Sequence, residues 1–215
     1  MEIQHALSKN IPFLCVAKEQ AVISKMLVGT IEPSQIEYYS NPKELKVKLK
    51  RKISEELRLR DMCKIGRFIT VEGIDYTGKS TICQKLYTKL NEQKRNVILI
   101  CDPPLIQPWQ KLKRFFEKQE KISKLSESIL LLSARLDNYE RIIKPAIRRG
   151  DIIIGDRYID SWFAYQSCRL RSYFNNADKA VDFLTGINDL LFRYSFLSLP
   201  DLTILIIDDP KKIIK

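Results

Sequence analysis

Arg67-Phe68-Ile69-Thr70-Val71-Glu72-Gly73-Ile74-Asp75-Tyr76-Thr77-Gly78-Lys79-Ser80-Thr81 is the stretch that decides the fold. From Gly73 to Ser80 it reads G-x-x-x-x-G-K-S, a complete phosphate-binding loop. The preceding β-branched and aromatic run, 67–72, predicts a buried strand, and Ile82, Leu86 and Leu90 at spacing four predict an amphipathic helix over 80–92. Strand, loop and helix therefore come in the order that phosphate binding needs. Backbone N–H groups of such a loop and of the helix N-terminus cradle phosphate oxygens, Lys79 adds a point charge near the β and γ phosphates, and the Ser80 hydroxyl can ligate Mg²⁺. Gly73, Ile74, Asp75, Tyr76, Thr77, Gly78, Lys79, Ser80 and Thr81 form the expected nucleotide site, and the competing reading is a glycine turn between a strand and a helix.

Outward from the loop, strands and helices alternate. Expected strands are 67–72, 96–101, 151–155 and 201–207, with helices at 80–92, within 108–144 and within 160–195. The strands are continuous apolar runs, as strands covered on both faces should be, which predicts an α/β fold with a parallel sheet between helical layers. Residues 1–64 read differently: a short helix over 17–28, a turn-rich patch, and a basic amphipathic helix, Lys43 to Asp61, with Leu45, Leu49, Ile53 and Leu57 on one face. They are expected to form an N-terminal extension to a domain spanning 65–215.

The 215 residues suffice for one sizeable core, and 45% hydrophobic with 29% charged residues is the composition of a globular chain. No apolar stretch approaches the ~20 residues of a membrane span. Five cysteines stand singly with a lone histidine, which weighs against a disulfide framework or a zinc site and points to a reducing, intracellular compartment. Cytoplasmic and mitochondrial locations both stay open, since the first thirty residues mix lysine with glutamate and hold no arginine, unlike a transit peptide. The net charge of +11 invites a nucleic-acid reading, but net +5 of it lies within 43–64, where a solvated helix face is the plainer account. No N-K-x-D run marks a GTPase, no L-S-G-G-Q a transporter ATPase, and no helicase-type motif accompanies the loop.

Three further segments narrow the choice: Ile143-Lys144-Pro145-Ala146 with Gly150; Gly155-Asp156-Arg157-Tyr158 with Ser161 and Ala164-Tyr165-Gln166; and Pro200-Asp201-Leu202-Thr203. With the loop, their order and spacing from Arg67 to Asp209 resemble thymidylate kinase, a P-loop NTPase family of three-layer α/β/α architecture. The resemblance implies transfer of the γ-phosphoryl of ATP, with Mg²⁺, to a pyrimidine nucleoside monophosphate, and a homodimer. It also implies roles. Lys79, Asp156 and Arg157 would carry catalysis, with Ser80 and Asp156 on the metal; Asp75, Arg135, Arg157, Ser161, Tyr165 and Gln166 would hold the acceptor. Phosphoryl transfer rests on alignment and charge neutralisation, which suits these residue types.

Departures from the pattern carry expectations of their own. Cys101-Asp102-Pro103-Pro104 lacks the arginine that the family usually places after its second strand to bind the acceptor phosphate. The Pro-Pro pair, Trp109, the basic aromatic segment after it and Asn138-Tyr139 resemble the mitochondrial-type UMP-CMP kinase branch, and Leu131 stands where a base-stacking phenylalanine is common. UMP, CMP and their deoxy forms therefore join dTMP as acceptors. Tyr76 occupies a position that holds a catalytic arginine in some members. The chain ends just past the 201–207 strand, so the lid and last strand of the family are expected to be absent, leaving a weak nucleotide binder acting through a partner as the alternative.

Overall fold

The computed structural model describes residues 13–19, 36–61, 66–104, 107–112, 114 and 122–208, with backbone alone at 13 and 55–61. Six strands form one parallel sheet: β1 (Phe13–Lys18), β2 (Ile36–Tyr39), β3 (Arg67–Gly73), β4 (Val97–Cys101), β5 (Ile152–Asp156) and β6 (Leu202–Ile207), in the order β2-β1-β6-β3-β5-β4. The helices are α1 (Pro42–Asp61), α2 (Lys79–Glu92), α3 (Lys124–Asn138), α4 (Lys144–Arg149), α5 (Ile159–Phe174) and α6 (Ala177–Arg193). A single π-helical turn, Tyr139–Ile143, joins α3 to α4.

Period-two alternation sorts the strand residues into two cores. Phe68 and Ile153 pack with Leu132, Trp162, Phe163, Leu170 and Leu184, residues of α3, α5 and α6. Ile69, Val71, Ile152, Ile154, Leu202, Ile204 and Ile206 pack on the opposite face with Leu49 and Ile53 of α1 and with Cys83 and Leu90 of α2. This is the expected three-layer α/β/α arrangement. Helix starts are marked as sequence chemistry directs: Ser123 Oγ accepts from Ser126 N at 3.1 Å to cap α3, and Asn176 Oδ1 accepts from Asp178 N at 2.7 Å to cap α6.

The N-terminal segment differs from expectation. Ala17 and Lys18 belong to a strand where a helix over 17–28 was expected, and residues 20–35 lie outside the described ones. β1 pairs in parallel with β6, from Phe13 opposite Thr203 to Ala17 opposite Ile207, and β2 pairs with β1. The expected extension thus continues the sheet past β6, and α1 buries Leu49 and Ile53 on it while exposing Lys43, Lys46 and Lys50. The reason is pairing across ~190 residues of chain, which no local pattern encodes. Of the basic aromatic segment after Trp109, Lys113, Phe115 and Phe116 lie outside the described residues. No helix among the described residues is long and apolar enough to cross a membrane.

Candidate active site

The buried strand β3 delivers the glycine loop to the C-terminal edge of the sheet. Gly73 has φ 142°, and a Cβ there would lie 2.5 Å from the Ile206 carbonyl oxygen, so both backbone and space require glycine. Gly78, at φ 85°, opens α2 without a side-chain cap, leaving the helix N-terminal amides for other partners. Lys79 is buried, and its Nζ donates to the Ile74 carbonyl, which also accepts from Thr77 Oγ1 at 2.9 Å. Burial holds the Lys79 ammonium below its ordinary range, helped by the nearby Arg157 cation and opposed by Asp75, Asp156 and Glu72. A cation costly to bury and held by a neutral carbonyl gains from meeting phosphate oxygens in its place. Ser80 and Thr81 are exposed in the first turn of α2, and Tyr76 is 88% exposed.

The end of β5 faces this loop across one strand spacing, with Val71 in register with Asp156. Arg157 adopts φ 70°, its N–H donating to the Val71 carbonyl at 3.1 Å. Its guanidinium pairs with Asp75 through Nη2, while Nη1 donates to Ser161 Oγ at 3.1 Å and reaches the Gly73 carbonyl at 3.5 Å. The Tyr165 ring lies 5.4 Å from the guanidinium, and its hydroxyl donates to the second Asp75 oxygen at 3.0 Å. The structure therefore brings Asp75, Arg157, Ser161 and Tyr165 together at the mouth of the loop. An arginine fork half-satisfied by an exposed carboxylate is a ready receptor for a phosphate.

Arg135 and Gln166 lie apart from that group. Arg135 is 1% exposed: Nε donates to Asp102, Nη2 reaches the Tyr158 carbonyl at 3.4 Å, and the Tyr158 and Trp162 rings sit 5.4 and 5.1 Å away. Its Nη1 finds no hydrogen-bond partner among the described residues. Burial pushes the Asp102 carboxyl above its ordinary range, outweighing the attraction of Arg135. Gln166 is buried and accepts from Ser128 Oγ at 2.6 Å. Asn138 and Tyr139 are also buried, and Leu131 packs against the core, which gives all three a structural account.

Among the described residues no three His, Cys, Asp or Glu side chains cluster as a metal cage. The oxygen donors present, the exposed Ser80 hydroxyl and the half-buried Asp156 carboxylate, suit Mg²⁺, which keeps waters and takes few protein ligands. Three participants carried no role in the sequence reading: Glu72, Asp102 and Ser128. An acid closing an apolar strand was the available signal for Glu72; Ser128 offered none.

A family model for thymidylate kinase matches residues 71–215. The thymidylate kinase of Mesomycoplasma hyopneumoniae (strain J) is 35% identical over 142 residues, 64% of this chain and 63% of that protein. That of Verminephrobacter eiseniae is 38% identical over 105 residues, 49% of this chain and 46% of that one. The chain thus spans about half to under two thirds of the length of these relatives. The crystal structure of thymidylate kinase from Ehrlichia chaffeensis superposes with a TM-score of 0.54 at 29% identity, covering 65% of this chain and 70% of that one. The expected likeness to the UMP-CMP kinase branch finds no support in these relatives.

Proposed function

The chain belongs to the thymidylate kinase family, and we propose that it transfers the γ-phosphoryl group of ATP to a pyrimidine nucleoside monophosphate, with dTMP the preferred acceptor. The observation that carries this reading is the Arg157 fork held by Asp75, Ser161 and Tyr165 directly across from Lys79 in the glycine loop. One cation stands ready for each of two phosphates. ATP would thread its phosphates along residues 73–81, with Lys79 leaving the Ile74 carbonyl for β and γ oxygens. The acceptor phosphate would take Arg157 from Asp75, and the freed Asp75 carboxylate, still bonded to Tyr165, would orient the incoming nucleotide. An acceptor phosphate oxygen then bonds to the γ phosphorus as the bond to the β,γ-bridging oxygen breaks, giving ADP and a nucleoside diphosphate. The acceptor is already an anion at neutral pH, so no general base is needed. Mg²⁺, held by Ser80 and Asp156, would offset charge on the transferred group.

The Nη1 of Arg135, beside the Tyr158 and Trp162 rings, and the Gln166 carboxamide, bonded to Ser128, would support an acceptor base from buried positions. Both stand in this reading as the floor of the base pocket. The absence of arginine at Cys101-Asp102 leaves Arg157 as the principal acceptor-phosphate cation, and UMP, CMP and their deoxy forms remain the acceptors to compare. Assembly as a homodimer, which family membership favours, goes with this proposal.

A coupled ADP-release assay with ATP, Mg²⁺ and each of dTMP, dUMP, dCMP, UMP and CMP tests it. Turnover with dTMP fastest, and lost in Lys79→Ala, is the expected result. ATP binding without turnover on any acceptor would overturn the kinase reading in favour of a nucleotide-binding protein. Turnover with UMP or CMP above dTMP would overturn the acceptor assignment alone.

A further inference from the structure

We infer that Glu72, which takes no chemical step above, is a positioning residue that sets Arg157 against the glycine loop through the Ser161 hydroxyl. The inference rests on the kinase reading only for the reaction it serves. Glu72 is 1% exposed at the end of β3, one residue before Gly73. A buried carboxylate survives only when hydrogen-bonded. One oxygen accepts from Tyr158 N–H at 2.7 Å, and the other accepts the Ser161 hydroxyl proton. A serine hydroxyl has a single proton. Once that proton points at Glu72, Ser161 can meet Arg157 Nη1, 3.1 Å away, only with a lone pair. The relay therefore has one direction, Arg157 to Ser161 to Glu72, set at one end by a guanidinium that only donates and at the other by a carboxylate that only accepts.

The same carboxylate clamps the backbone. Arg157 sits at φ 70°, a conformation that side-chain-bearing residues avoid. On one side its own N–H is held by the Val71 carbonyl at 3.1 Å, and on the other the Tyr158 N–H is held by Glu72. Two consecutive residues of β3 thus hold two consecutive residues of the arginine turn. Tyr158 also precedes α5 without a side-chain cap, so Glu72 supplies an acceptor at that helix N-terminus. A merely structural account would stop there, with Glu72 stabilising a helix start. The positioning account adds that the guanidinium plane itself is set by the Glu72–Ser161 bond.

Glu72→Gln, Ser161→Ala and the double variant separate the two. Gln can still accept from Tyr158 N–H, but its amide donates to Ser161, so the hydroxyl proton loses its acceptor and Ser161 its charged anchor. Each single variant should raise KM for dTMP about tenfold, the scale of one charge-assisted hydrogen bond, and the double variant should add nothing further. KM for ATP should change less than twofold, which doubles as the folding control. Equal rises in both KM values, or additive losses in the double variant, would overturn the inference. A second measurement stands apart from turnover. In the ¹⁵N-labelled protein without nucleotide, the Arg157 guanidinium, assigned with Arg157→Lys, should give separate Nη resonances from hindered rotation, with faster exchange between them in both single variants, where Asp75 still holds Nη2. An unchanged exchange rate in the variants would overturn the positioning role even if dTMP proves not to be a substrate. Ser161→Ala removes a single oxygen, so the question stays answerable should Glu72→Gln fail to fold.

Discussion

Asp102→Ala should be among the most destabilising single substitutions in this protein. Asp102 and Arg135 are 8% and 1% exposed, and among the described residues the contact between Asp102 and Arg135 Nε is the one ion pair of that guanidinium. Among the described residues Arg135 Nη1 already lacks a partner, and Nη2 has only a long contact to a carbonyl at 3.4 Å. Deleting the carboxylate leaves a cation in a pocket of aromatic rings, where breaking a buried pair costs about 3–5 kcal/mol. For a domain of this size that corresponds to a fall in Tm of roughly 6–20 °C. Urea denaturation followed by circular dichroism measures it, independently of any nucleotide. The partner experiment is the double substitution Asp102→Leu with Arg135→Met, which removes both charges and keeps volume. It should lie within about 1 kcal/mol of the parent, because a buried ion pair contributes little net stability against a well-packed apolar replacement. A loss under about 1 kcal/mol in Asp102→Ala, or a double variant as unstable as the sum of its singles, would refute the reasoning.

Two further outcomes follow from local geometry. Gly73→Ala places a Cβ 2.5 Å from the Ile206 carbonyl at a φ of 142°, so it should cost about 2 kcal/mol or more and loosen the β3–β6 edge; amide exchange at Ile206 reads this, and unchanged protection would contradict it. Glu44 accepts from Ser40 N at 2.9 Å and Ser40 Oγ at 2.8 Å at the start of α1, and these bonds with Lys48 hold its carboxyl down at about 2 from an ordinary 4.5. A depressed carboxylate stabilises the fold above its unfolded value, so the start of α1 should loosen as pH falls from 4.5 toward 2; a ¹³C carboxyl titration with a midpoint near 4.5 would negate it.

The glycine loop was legible because eight consecutive residues encode it, and the strands because doubly covered strands are apolar throughout. Asp75, Arg157, Ser161 and Tyr165 could be named together since two short segments hold all four. Arg135 and Gln166 were named without their surroundings. The partners that sequester them, Asp102 and Ser128, stand 33 and 38 positions away in the chain, and nothing local says which charge will be buried. β1 escaped for the same reason. Phe13 to Ala17 is a short apolar run that reads equally as the start of a helix, and only its pairing with β6 decides the matter.

Strand register is what makes the site. Pairing places Val71 opposite Asp156 and Gly73 opposite Ile206, so the next residue after Asp156, Arg157, has to emerge beside Glu72 and Gly73. Parity then assigns the faces. Glu72 shares its side of β3 with Phe68 and Thr70, the side that packs on α5, and so it meets Ser161. Val71 and Ile69 look the other way, toward Cys83 and Leu90 of α2, the helix that carries Lys79. The loop from 74 to 78 joins the end of β3 to the start of α2, and Arg157 meets it at the Gly73 carbonyl and Asp75. A one-residue slip of β3 against β5 would turn Glu72 into the α2 layer, bury Val71 against Ser161, and leave Arg157 opposite the wrong carbonyl. The apolar alternation that holds the two cores and the placement of the two cations are therefore one constraint, so variants that weaken the β3–β5 pairing should lose acceptor binding before they lose the fold.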